Sequence, residues 1–147
     1  MLVYTYNAVL NACAYTYGDE LAKTTAFQIA CTTFNEIRNK KQYNIIPNHV
    51  TYGTFLSVCA KLLSQQEKSE KFPLIEAVFR KCCKEGQVGS LVLYSLKEAT
   101  TPKLFKTLLL ESKDVSKDLV EVLGGKSRYV NVEDLPNKWT CKVKERL

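Results

Sequence analysis

Chain breakers are scarce. Six glycines and four prolines among 147 residues argue against a β protein built from many tight turns and leave long stretches free for helices. Histidine is scarcer still: His49 is the only one. A zinc site needs about four ligands, and no Ser or Cys pairs with His49 as a nucleophile. No phosphate-binding glycine loop is present, since Gly124-Gly125 is not followed by Gly-Lys-Ser/Thr. The carboxylates are dispersed, and Glu133-Asp134 are neighbours rather than a metal cluster. The chain therefore reads as a non-enzyme without metal or cofactor. Its longest apolar run, around Leu108-Leu109-Leu110, stops at Glu111, short of the roughly 20 residues of a membrane span, so no membrane partner is expected. Residues 1–6 have neither the basic start nor the apolar stretch of a secretory signal, and are not the Arg- and Ser-rich kind that targets organelles. Met1 reads as an internal start, with the first motif beginning at Val3.

What is present is ordinary globular composition, 46% hydrophobic and 24% charged, enough for one domain with a hydrophobic core. Lys and Arg outnumber Asp and Glu by 21 to 15, a net charge of +6 that fits a polyanionic partner without demanding one. Cys13, Cys31, Cys59, Cys82, Cys83 and Cys141 show no CxxC spacing and read as reduced, buried thiols of an intracellular protein.

The chain repeats itself. Thr5 to Ala14 (TYNAVLNACA) aligns without a gap on Thr51 to Ala60 (TYGTFLSVCA) at an offset of 46, with Thr, Tyr, Leu, Cys and Ala identical in the two copies. Tyr6, Val9, Leu10 and Cys13 recur at i, i+3, i+4 and i+7, as do Tyr52, Phe55, Leu56 and Cys59, the spacing of one buried helical stripe. A second helix follows each. Residues 21–38 place Leu21, Ala26, Ile29, Ala30, Phe34 and Ile37 inward, and residues 72–84 do so with Phe72, Ile75, Val78, Phe79 and Cys82. Gly18-Asp19 and the polar run 64–71 mark the breaks, and Pro73 is tolerated in a first turn. Two helix pairs in tandem predict an all-α fold, an αα-solenoid whose neighbouring pairs complete each other's core. Farther on, two short helices are expected, the latter with Thr101 as N-cap and Pro102 at its first position.

The junction between the copies narrows the class. Ala30 to Ile37 reads AxxxFNEI, a basic stretch Arg38-Asn39-Lys40-Lys41 follows, and then IIPNHVTY from Ile45 to Tyr52. With the TYN helix start and the Pro47-Asn48 closure this resembles the pentatricopeptide repeat; the Trp and Leu-Gly-x-x-Tyr pattern of tetratricopeptide repeats is absent. The resemblance is good over 3–86, weak to Leu110 and absent beyond. The first unit is 46 residues long, against about 35 in the family, with the extra length falling between helices. A third, degenerate unit starts at Leu91, with Ser90 closing the second and Tyr94 taking the place of Tyr6 and Tyr52. The organisation expected is thus two elongated helix pairs (3–86), a degenerate repeat or C-terminal cap (87–123) and a basic tail (124–147).

The resemblance implies a right-handed solenoid that binds single-stranded RNA in a mitochondrion or plastid, where the family serves RNA processing, stability or translation. It implies that the fifth and last residues of a repeat bond the base edge while the second sandwiches its face. Here those are Asn7 and Asn48 with Tyr4, a pair leaning toward a pyrimidine, and then Gly53 and Ser90 with Val50. Asn7 and Asn48 equally suit a helix start and an N-cap or turn. Lys61, Lys97 and the cluster Arg38, Lys40, Lys41 are candidates for phosphate contacts, and Lys138 to Arg146 around Trp139 for stacking on a single strand, although a lone Trp more often docks on the body. Two repeats reach about two bases, so RNA binding by this chain alone is expected to be weak. The alternative is a protein-interaction scaffold holding a partner on its concave face.

Overall fold

The computed structural model describes residues 2–39, 45–111 and 130–144, and among these every regular element is helical. Eight α-helices occur in order: α1 (Leu2–Ala14), α2 (Glu20–Asn39), α3 (His49–Leu62), α4 (Gln65–Glu70), α5 (Phe72–Lys84), α6 (Ser90–Ala99), α7 (Pro102–Leu110) and α8 (Asn137–Lys144), with a 3-10 turn at Val132–Asp134 before the last. Lys40, Lys41, residues 112–123 of the expected cap, Gly124-Gly125, Lys126, Arg128 and Arg146 lie outside the described residues.

Helix ends follow local chemistry. Asp19 accepts a 2.9 Å bond from the Ala22 N–H at the start of α2. Ser64 and Glu67 form a reciprocal capping box, which makes the polar run 64–71 a short helix rather than a plain break. Thr101 caps α7 by accepting from Leu104 N–H at 3.2 Å, with Pro102 in the first turn. The α5 terminus is a Schellman motif, in which Gly86 N–H donates to Cys83 O and Gln87 N–H to Cys82 O, both at 3.1 Å. Gly86 has φ +70°, a left-handed conformation that glycine adopts without a Cβ penalty.

α3 lies between α1 and α6; α2 packs on α1 and α3, α5 on α3 and α6, and α7 on α6. Each second helix of a pair thus bridges its own first helix and the next one. The core runs through this arrangement: Phe34 of α2 stacks on Phe55 of α3 at 4.5 Å and meets Tyr52 edge-on at 5.8 Å. Leu10, Leu56, Ile75, Leu96 and Leu109 are all fully buried.

α8 returns to α5. Trp139 sets its ring edge-on to Phe79, 5.7 Å between centroids at 87°; its carbonyl accepts from Val88 N–H at 2.8 Å, and Lys142 N–H donates to Gly86 O at 3.0 Å. A Cβ on Gly86 would stand 2.6 Å from Cys141 Sγ, so this glycine serves the approach of α8 as well as the turn. Trp139 is engaged with the body.

Three side chains expected inside are exposed: Val9, Leu21 and Ile29. Val9 is 38% exposed where its counterpart Phe55 is 1%, because α3 is flanked on both sides and α1 packs against α3 on one.

Candidate nucleic-acid interface

The first junction is built on Pro47-Asn48. Asn48 is in extended conformation (φ −118°, ψ −176°), so its side chain turns back over the first turn of α3. Asn48 Oδ1 accepts from Thr51 N–H at 3.0 Å, and Thr51 Oγ1 in return accepts from Asn48 N–H at 3.1 Å. The Thr51 hydroxyl has one hydrogen, and its nearer acceptor is Asn7 Oδ1 at 2.6 Å rather than Asn48 Oδ1 at 3.1 Å. Asn7 Nδ2 donates to Asn48 Oδ1 at 3.3 Å. The two asparagines are therefore brought together, but each is only 6% exposed and each spends its carbonyl oxygen on holding α1 to the start of α3.

The second junction is different. Gly89 has nearly the dihedrals of Asn48 (φ −117°, ψ −174°) with no side-chain cap, so Gly89, not Ser90, stands where Asn48 stands. Burial agrees: Leu93 is 4% exposed and Tyr94 61%, which makes Leu93 the counterpart of Tyr52 and corrects the register read from the sequence by one residue. Tyr94 shares only its residue type with Tyr52 and lies one position past the equivalent place. The buried Gln87 ties this junction to α3 by accepting from His49 N–H at 3.1 Å, while the first turn of α6 has no side-chain cap. Gly53 lies under α6: a Cβ there would fall 2.6 Å from Leu91 Cγ and 2.9 Å from Leu91 Cδ2. This glycine is a packing requirement of α3 against α6.

Between the junctions the first helices present matching exposed positions. Tyr4 on α1 (67% exposed), Val50 on α3 and Leu91 on α6 form one row. Tyr15 and Lys61 form another, with Lys61 Nζ 3.9 Å from the Tyr15 ring centroid, a cation–π contact that sequence spacing alone did not flag although the two residues are counterparts in the repeat. Ser90 is exposed at the start of α6 and lines a cleft of about 450 Å³ between α6, α7 and residues 130–131, with Leu93 and Phe105 at its apolar floor and Tyr94, Lys97 and Lys106 around it. Arg38 is exposed at the end of α2.

The thiols Cys59, Cys82 and Cys83 are buried. Burial pushes the Cys59 thiol up to about 12, and burial raises Cys82 and Cys83 in the same direction, which suppresses the reactive thiolate. Among the described residues no three His, Cys, Asp or Glu side chains gather where a metal ion would be held, and no helix is long and apolar enough to cross a membrane. No family model, curated protein or solved structure matches the chain.

Proposed function

We propose that the chain is a segment of a right-handed αα-solenoid that binds single-stranded RNA along the exposed face of α1, α3 and α6, in keeping with the organelle RNA-handling role its sequence resemblance implies. The observation that carries this reading is the alignment of that face: α3 packs between α1 and α6, so Tyr4, Val50 and Leu91 fall in register, with Lys61 and Lys97 exposed on the same helices. Aromatic faces among cations suit a single strand, because every base has a π-face and every linkage a charge. Asn7 and Asn48 take the role of ordering the junction, and sequence preference follows only from what their remaining N–H groups offer a base.

The test is fluorescence anisotropy of a short labelled single-stranded RNA over a salt series. Tyr4→Ala is expected to weaken binding about tenfold, since one stacked base is worth ~1–3 kcal/mol, and Lys61→Ala to lower the salt slope by about one. No binding at low salt, or binding indifferent to both changes, would sink the reading. In that event the second reading, a protein-interaction scaffold, is favoured by the cleft beside α6, whose floor of Leu93 and Phe105 suits an apolar side chain of a partner peptide.

A further inference from the structure

The internal repeat allows each position of α1 to be compared with its counterpart on α3. Thr51, Thr54, Phe55 and Val58 are all buried on α3; Thr51 is bonded by Asn7 of α1 and Phe55 is stacked on Phe34 of α2. This face of α3 is thus covered by the preceding helix pair. Its counterparts on α1, at the offset of 46, are Thr5, Ala8, Val9 and Ala12, and all four are exposed. They recur at i, i+3, i+4 and i+7, a single helical face. α1 carries no charged residue at all, and neither does the chain anywhere from Met1 to Gly18, although 24% of the whole is charged. Solvated helix faces are normally charged. An uncharged, small-residue face that the fold elsewhere covers is a prepared contact surface.

We propose that the Thr5–Ala8–Val9–Ala12 face of α1 is a docking surface for a further helix pair of the same repeat type, seated as α1 and α2 are seated on α3. The first helix of that pair would offer an Asn to the Thr5 hydroxyl, as Asn7 does to Thr51, and the second an aromatic ring to Val9, as Phe34 does to Phe55. A second copy of this chain docking head to tail fits poorly. Shifting α3 onto α6 by its caps (48 to 89, a shift of 41) puts Tyr94 and Lys97 where α3 has Gly53 and Leu56, and a lysine set against Val9 and Ala12 would bring its charge onto an apolar face at the cost of its hydration. The surface does not depend on RNA binding.

The experiment places a second copy of residues 3–48 directly ahead of Val3, so that its Asn48 stands at the N-cap of α1. The extended chain is expected to unfold in one cooperative transition at higher temperature than the parent, with slowed amide exchange along α1. Val9→Lys should abolish that gain in the extended chain and leave the parent's melting temperature nearly unchanged. An added unit that melts separately, confers no protection, or fails to fold would overturn the proposal. So would a concentration-dependent dimer of the parent that Val9→Lys disperses, since the occupant would then be a second copy.

Discussion

Asn48→Ala separates the two roles open to the asparagine pair. The substitution removes the N-cap bond from Thr51 N–H, 3.0 Å long, about 1 kcal/mol, and separately takes the acceptor from the buried Asn7 Nδ2, which bonds Asn48 Oδ1 at 3.3 Å. Leaving that second donor unpaired costs ~1–3 kcal/mol, so the total comes to about 2–4 kcal/mol. At roughly 2–4 °C per kcal/mol for a chain of this size, the melting temperature should fall by ~4–16 °C. Asn7→Ala should cost less, about 1 kcal/mol, because the Thr51 hydroxyl can swing from Asn7 Oδ1 to Asn48 Oδ1, already 3.1 Å away. The double variant should fall short of the sum by ~0.5–3 kcal/mol, as expected for residues in one network. Asn48→Asp keeps the acceptor and places a negative charge at a helix N-terminus, so it should hold most of the stability. Differential scanning calorimetry on the four variants measures the stability terms. An Asn48→Ala protein that melts with the wild type would refute the reasoning and return Asn48 to the role of a ligand-facing side chain.

Two further outcomes follow from the same packing. Gly53→Ala gains ~1 kcal/mol of helix propensity but sets a methyl 2.6 Å from Leu91 Cγ, an overpacking cost of ~1–3 kcal/mol; the net should be a loss in the wild type and a smaller loss in Leu91→Ala, which removes Cγ and Cδ2 but keeps the Leu91 Cβ 3.1 Å away, and a rise in melting temperature in the wild-type background would refute the contact. Burial raises the Cys59 thiol from 9.0 to about 12, so the folded state holds that proton more tightly than the unfolded chain. Its contribution is complete below about pH 9 and is lost as the pH climbs toward 12. The denaturation midpoint should therefore fall above pH 9, less steeply in Cys59→Ala; identical slopes in the two proteins would refute that assignment.

The helices were legible where local signals act alone. The periodicity over 72–84 matches α5 residue for residue, and Thr101-Pro102 marks the start of α7, because capping and φ restriction are properties of a few adjacent residues. The helix α4 was legible too, in Ser64-Gln65-Gln66-Glu67, but its polarity masked it. What the sequence could not supply was the neighbour. Periodicity predicts an inward stripe through Val9 and Ile29 without stating whether a second helix exists to cover it. The docking of Trp139 on Phe79 is a contact across 60 residues that no local pattern encodes. The same limit applies to the third unit: Tyr94 matches Tyr52 by residue type, whereas the register is set by Gly89, whose backbone repeats that of Asn48 although it has no side chain to signal the cap.

The two junctions consequently divide the work of the proposed interface. At the first, a polar network of Asn7, Asn48 and Thr51 fixes α1 on α3 through directional bonds, and Asn7 lies three residues along α1 from the exposed Tyr4. At the second, Gly53 lets Leu91 press against α3, the cap residue Gly89 has no side chain, and the Gln87 amide is buried with its oxygen on His49 N–H. In the proposed interface, base discrimination, which requires donors and acceptors in fixed positions, falls to the first junction, and the second adds affinity through apolar contact. A strand bound along this face should accordingly tolerate any base over α3 and α6 and show its preference, if Asn7 supplies one, at the nucleotide over Tyr4 alone.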